Sequence, residues 1–154
     1  MATREFRVYG DPALTKTCRQ VDDVNAHIRL LLDDMAETLK ATTACGVVAA
    51  NQVGVLRRLV VVGTVDGIKK LVNPVIIEKI GEQDCLERCV CIRNISGMTV
   101  RPKKIVVEAL DENGEPVTLT VEDEAAQHLC RGIDYLDGKV FINQVYRFVT
   151  EDDE

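Results

Sequence analysis

The chain has no tryptophan, only three Phe and three Tyr, four Pro, and just two His among 154 residues. With so few aromatics, aliphatic side chains must fill most of the core. Two histidines, His27 and His128, leave little room for imidazole ligands or imidazole bases. No apolar run approaches the ~20 residues that cross a bilayer. Met1 to Tyr9 reads MATREFRVY and lacks the apolar stretch of a secretory signal, so the expected location is cytoplasmic. A basic excess is missing as well. Lys and Arg number 19 against 25 Asp and Glu, and the net charge of -6 argues against nucleic acid or an anionic membrane as partner.

What is present is ordinary for one compact domain: 46% apolar and 29% charged residues. We expect that domain over residues 1–150, followed by a solvated acidic tail at 151–154. Six cysteines stand out, at positions 18, 45, 85, 89, 91 and 130. A domain of this size can bury enough surface without staples, so free thiols, a metal site or a reactive Cys are more natural than a disulfide framework.

Val24, Ile28, Leu31, Leu32, Met35 and Leu39 follow Asp22-Asp23 at helical spacing, which predicts an amphipathic helix capped by those aspartates. Cys45 to Val55, small and apolar with two glycines, reads as a loop. Leu59–Val62 predicts a buried strand, Thr64 to Gly67 a turn and Ile68–Val72 its hairpin partner. Asn73-Pro74 then breaks the strand, and Val75–Ile80 resumes it. Residues 81–97 read as irregular. Ile105–Leu110 and Pro116–Val121 form a hairpin about Asp111 to Gly114. Asp123 caps a last helix carrying Ala125, Ala126, Leu129, Ile133 and Leu136, ended by Gly138. The fold class is α+β: short antiparallel strands around a C-terminal helix, plus an N-terminal helix.

Several segments, in this order, resemble a peptide deformylase. They are Tyr9-Gly10-Asp11-Pro12-Ala13-Leu14, Leu71-Val72-Asn73-Pro74 and Asp111-Glu112-Asn113-Gly114, together with three motif segments. The family pattern Gly-x-Gly-x-Ala-Ala-x-Gln falls on Cys45-Gly46-Val47-Val48-Ala49-Ala50-Asn51-Gln52. Glu-Gly-Cys-Leu-Ser falls on Glu87-Arg88-Cys89-Val90-Cys91. Gln-His-Glu-x-Asp-His-Leu-x-Gly falls on Cys130-Arg131-Gly132-Ile133-Asp134-Tyr135-Leu136-Asp137-Gly138. The resemblance implies metal-assisted removal of the formyl group from peptide N-termini. Cys89 would be a metal ligand, and the Gln52 side chain and the Val90 backbone N–H would donate to the oxyanion. It implies a pocket formed by Cys45, Glu87, Arg88, Cys91, Cys130, Arg131, Gly132, Asp134 and Tyr135.

Two of the three metal-ligand positions are changed. Arg131 and Tyr135 stand where the pattern has histidines, and Gly132 stands where it has the general-base glutamate. A catalytic divalent metal takes three protein ligands and an open position, and a guanidinium cannot serve as one of them. His128 is out of register as a replacement, and His27 lies beside no motif. The expectation is therefore no cofactor or, if any, iron, nickel or zinc at Cys89. A zinc site built from Cys45, Cys89, Cys91 and Cys130 ranks below the reading of Cys45, Cys91 and Cys130 as small apolar fillers. On a strand, Cys89 and Cys91 would face opposite ways. A Cys89 thiolate nucleophile beside Arg88 or Arg131 lacks a matched base.

The leading expectation is a deformylase-like protein with deformylation absent or very weak. Its pocket would bind a peptide or small carboxylate, with Arg131 supplying positive charge. The alternatives are an active deformylase using Cys89 with unusual ligands, and a non-catalytic interaction or regulatory module, including a homodimer.

Overall fold

The computed structural model describes residues 2–42, 46–89 and 91–149, apart from the side chains of Arg93 and Asn94. Helix α1 spans Ala26–Ala41 and α2 spans Asp123–Leu136. The strands are β1 (Val47–Ala49), β2 (Leu59–Thr64), β3 (Gly67–Ile80), β4 (Gln83–Cys89), β5 (Ile92–Arg101), β6 (Lys104–Leu110), β7 (Pro116–Glu122) and β8 (Arg147–Val149). They form a five-stranded sheet ordered β1-β2-β3-β6-β7 and a three-stranded sheet ordered β4-β5-β8, with antiparallel pairing throughout. The α+β class read from the sequence is what the structure has.

The five-stranded sheet lies between the two helices, which explains the unbroken apolar run of β2. Leu59 and Val61 join Val48 and Val72 beneath the α1 stripe of Ile28, Leu31, Leu32, Met35 and Leu39. Val60 and Val62 point the other way, toward Val47, Leu129, Ile133 and Leu136. A strand buried on both faces cannot show polar alternation. Leu32, Met35, Leu59, Leu129, Leu136 and Phe141 are among the largest fully buried side chains, each stabilising the fold by roughly 1.5–3 kcal/mol through loss of apolar surface from water.

Several local expectations change. Helix α1 starts two residues later than the pattern suggests, because Asn25 and not Asp22 or Asp23 caps it, its Oδ1 accepting from Ile28 N at 3.0 Å. Asp123 does not cap α2. Glu122 holds that position without a side-chain bond, and Asp123 is the first helical residue. Residues 45–55 are not all loop: β1 pairs with β2, and Ala50–Val53 is a 3-10 turn.

Asn73-Pro74 bends β3 without ending it. The register shifts between Val72 and Val75, and Asn73, at φ 52°, bonds both the N–H and the carbonyl of Val21 at 2.8 Å. Most of the segment 81–97 is the β4–β5 hairpin. Its inward residues, Cys85, Glu87 and Cys89, are not the β-branched types that announce a strand, so the alternation is hidden by chemistry. Helix α2 closes through Gly138 at φ 75°, where a Cβ would come 2.5 Å from the Thr15 carbonyl oxygen. Only glycine fits so close to backbone. The acidic tail at 151–154 lies outside the described residues.

Candidate metal centre

Three pieces of chain meet on the inner face of α2. The first is the 3-10 turn after β1, which buries Asn51 and Gln52 completely or nearly so. Asn51 Nδ2 donates to the Tyr135 carbonyl at 2.5 Å, tying the turn to α2. Gln52 Oε1 accepts from Ala49 N at 2.9 Å, which fixes the carboxamide. Its Nε2 then faces Cys89 Sγ at 3.5 Å and Cys91 Sγ at 3.6 Å.

The second piece is the end of β4. The strand stops at Cys89, so Cys91 is not on the opposite face as strand parity would place it. Both thiols reach the same carboxamide, and Cys91 N donates to Cys89 Sγ at 3.3 Å. The Cys89 thiol is lowered to about 6. The Cys91 side chain is the chief cause, with Tyr135, the Cys91 N–H and Arg131 adding to it against the effect of burial. Cys18, Cys85 and Cys130 are instead pushed up to about 11 by burial, and all five described cysteines are buried and outside any disulfide. Cys91 and Cys130 belong to the apolar core around α2. Arg88 leaves the pocket: β4 alternates, and Arg88 is exposed while Glu87 and Cys89 turn inward. Cys45 and Val90 lie outside the described residues.

The third piece is α2 itself. Arg131, 2% exposed, donates from Nη1 to Glu87 Oε2 at 2.5 Å, and its Nη2 lies 3.2 Å from His128 Nδ1. The other Glu87 oxygen accepts from Arg101 Nε at 2.6 Å and Thr99 Oγ1 at 3.0 Å. Arg101 Nη1 donates to Asp134 Oδ2 at 2.6 Å, and Asp134 also accepts from Gln144. Glu87 is fully buried, yet its carboxyl is held below the usual range. Burial pushes it up, and the Arg131 and Arg101 cations more than cancel that effect. Two cations thus meet two carboxylates.

This corrects the expectation that Arg131 offers spare positive charge to an anionic ligand: its charge is matched within the protein. Tyr135, 2% exposed, has a hydroxyl without a well-formed hydrogen bond. Its phenol is raised well above 10, by burial first and the Cys89 sulfur next. His128 is half-buried against Gly46 and lowered to about 4, chiefly by burial and then by Arg131. His27 is exposed on α1. Arg101 and Thr99 were not singled out by sequence reasoning, although the burial of a motif glutamate requires a cation from somewhere. Asn51 was passed over inside its own motif.

Residues 3–150 match the family model for polypeptide deformylase. The chain is 47% identical over 149 residues to peptide deformylase 2 of Clostridium acetobutylicum, covering 97% of this chain and 99% of that protein. It is 45% identical to the peptide deformylase of Acetivibrio thermocellus, over 99% of this chain and 89% of the relative. Among solved structures, the peptide deformylase of Legionella pneumophila superposes with a TM-score of 0.87 at 31% identity, covering 94% of this chain and 86% of that one. The chain belongs to the peptide deformylase family.

Membership brings with it a family of metalloenzymes using iron, nickel or zinc, which weighs against the expectation of no cofactor. The residues present do not fit such an ion. Cys89 can ligate, but Arg131 is committed to Glu87 and cannot lose its proton, and the Tyr135 phenol is held protonated. Among the described residues no three His, Cys, Asp or Glu side chains gather as a metal-holding group.

Proposed function

We propose that this chain handles the substrate class of its family, the N-terminal end of a formylated peptide, in the cytoplasm. Two readings of what it does there are supported by different observations. The relatives' names and the 45–47% identity favour an active deformylase, the reading that the sequence motifs alone placed second, and they support it better than loss of activity. The geometry of this chain's own side chains favours binding without turnover, or with very weak turnover. Activity belongs to a handful of side chains and not to the scaffold.

The observation that carries the second reading is Arg131 on Glu87. A ligand position holds a cation satisfied by the protein, and Gly132 beside it offers no carboxylate as general base, a group worth typically 10²–10⁴-fold. What the site retains is a donor and a thiolate: Gln52 Nε2 held beside Cys89, in a water-poor setting suited to a carbonyl oxygen.

The deciding experiment is turnover of formyl-Met-Ala-Ser by protein purified without chelator, then supplied with iron, nickel or zinc. Stoichiometric metal with turnover establishes the active reading. Binding of the formylated peptide in calorimetry, with no turnover under any metal, establishes the other.

A further inference from the structure

The position of the missing base is filled on the opposite wall. A Cβ on Gly132 would lie 2.6 Å from Val47 Cγ2 and 2.9 Å from Val60 Cγ2, so even alanine does not fit without repacking. Val47 is itself one of the two positions where the family pattern has glycine, and it is completely buried. The pattern therefore pairs a small residue on β1 with a large acid on α2, and this chain pairs a large residue on β1 with none on α2. On the other flank, Gly46 accepts the His128 ring so closely that any Cβ there would meet it.

The cation has been exchanged in the same manner. Glu87 faces Arg131 at a residue where the pattern has a metal-binding histidine, and the guanidinium brings the positive charge that an ion would otherwise bring.

We propose that an internal ion pair and a reciprocal exchange of bulk have taken over the place of the metal centre, Glu87–Arg131 for the ion and Val47 against Gly132 for the base. The former catalytic centre is then part of the structural core, and the folded state requires no metal. This rests on the reading without turnover, but it is tested by stability and coupling, so the two can fail separately. A chain that binds a metal weakly and turns over slowly could still show the Val47–Gly132 coupling.

The test is thermal melting of the full chain and of five variants, with and without EDTA and with added zinc or nickel. Wild type should melt at the same temperature in all conditions. Gly132→Ala should lower the midpoint by about 5–10 °C, as overpacking of one methyl in a closed site does. Val47→Ala should lower it through the cavity left behind. The double variant Val47→Ala/Gly132→Ala should melt higher than the sum of the two losses allows, because each change makes room for the other. Gly132→Glu should be soluble only alongside Val47→Gly. If Gly132→Glu fails to fold in either background, the alanine cycle still decides. Additive losses in that cycle, or a wild-type midpoint lowered by chelator, would overturn the proposal.

Discussion

The two walls of the site are built by different rules. On the turn wall, Ala49, Asn51 and Gln52 act through the backbone: Gln52 closes on Ala49 N, and Asn51 closes on the Tyr135 carbonyl. Those contacts do not depend on what the α2 side chains are, only on where its backbone runs. On the helix wall, Arg131, Gly132 and Tyr135 meet their partners through side-chain charge and volume. Of the pattern's residues, Ala49, Ala50 and Gln52 stand on the turn wall and Asp134 on the helix wall, whereas Arg131, Gly132 and Tyr135 depart from it on a helix whose backbone still meets the turn. Backbone-directed polar contacts thus hold the frame of the site independently of the charges and volumes that α2 presents to it.

The comparison is broken most severely at Glu87, the residue holding the helix wall's charge. Glu87→Ala removes the carboxylate that Arg131 and Arg101 share and leaves Arg101 with Asp134 alone, and breaking a buried pair from one side costs about 3–5 kcal/mol. Urea unfolding of the variant should show that loss as a lower midpoint at unchanged slope. A cost under 1 kcal/mol would mean that water reaches the guanidinium groups and that the wall is not held by charge.

On the turn wall the corresponding change is smaller. Asn51→Ala removes the donor to the Tyr135 carbonyl, which still accepts from Gly138 N, so the loss should be about 1–2 kcal/mol. If it exceeds the loss at Glu87, the ordering of the two walls is reversed. Measured alongside Glu87→Ala, the pair ranks neutral backbone tethering against buried charge in one molecule.

Much of this molecule was legible beforehand. The α1 stripe, the β2–β3 and β6–β7 hairpins and the α2 register follow from apolar spacing or apolar runs and from the turn residues between them. The β4–β5 hairpin was not legible because its buried positions are Cys85, Glu87 and Cys89, and a buried glutamate looks polar until its two arginines are placed beside it. The cap of α1 was misread because three acceptor residues, Asp22, Asp23 and Asn25, compete there, and only backbone geometry chooses. In the site, the identity of each motif residue was plain. Where Arg131 and Arg88 point was not, since a long side chain is directed by its partners and by strand parity.

Two groups of the site, His128 on α2 and Cys89 at the end of β4, should also differ in pH response. His128 titrates near 4 in the fold against about 6.5 unfolded. As pH falls from 6.5 to 4 the unfolded chain takes up a proton that the folded chain refuses, so stability falls with pH across that window. Cys89 titrates near 6 in the fold against 9.0 in the unfolded reference, so the folded chain holds the thiolate first and stability rises with pH from 6 to 9. His128→Leu should flatten the lower window and Cys89→Ser the upper one, each read from urea midpoints at stepped pH. A His128 variant that leaves the acid limb unchanged would place that limb on Glu87 and the other carboxylates instead.

The smallest effect should come from the motif residue that left the site. Arg88 falls within the Cys89 segment but lies on the exposed face of β4, so Arg88→Ala should change stability by no more than about 0.5 kcal/mol. It should also leave the absorbance titration of the Cys89 thiolate at 240 nm where it was, near pH 6, because Arg131 and not Arg88 is the guanidinium acting on that sulfur. An upward move of the thiolate midpoint in Arg88→Ala would show the side chain folding back over the pocket. It would then return to the site a residue that strand parity removes from it.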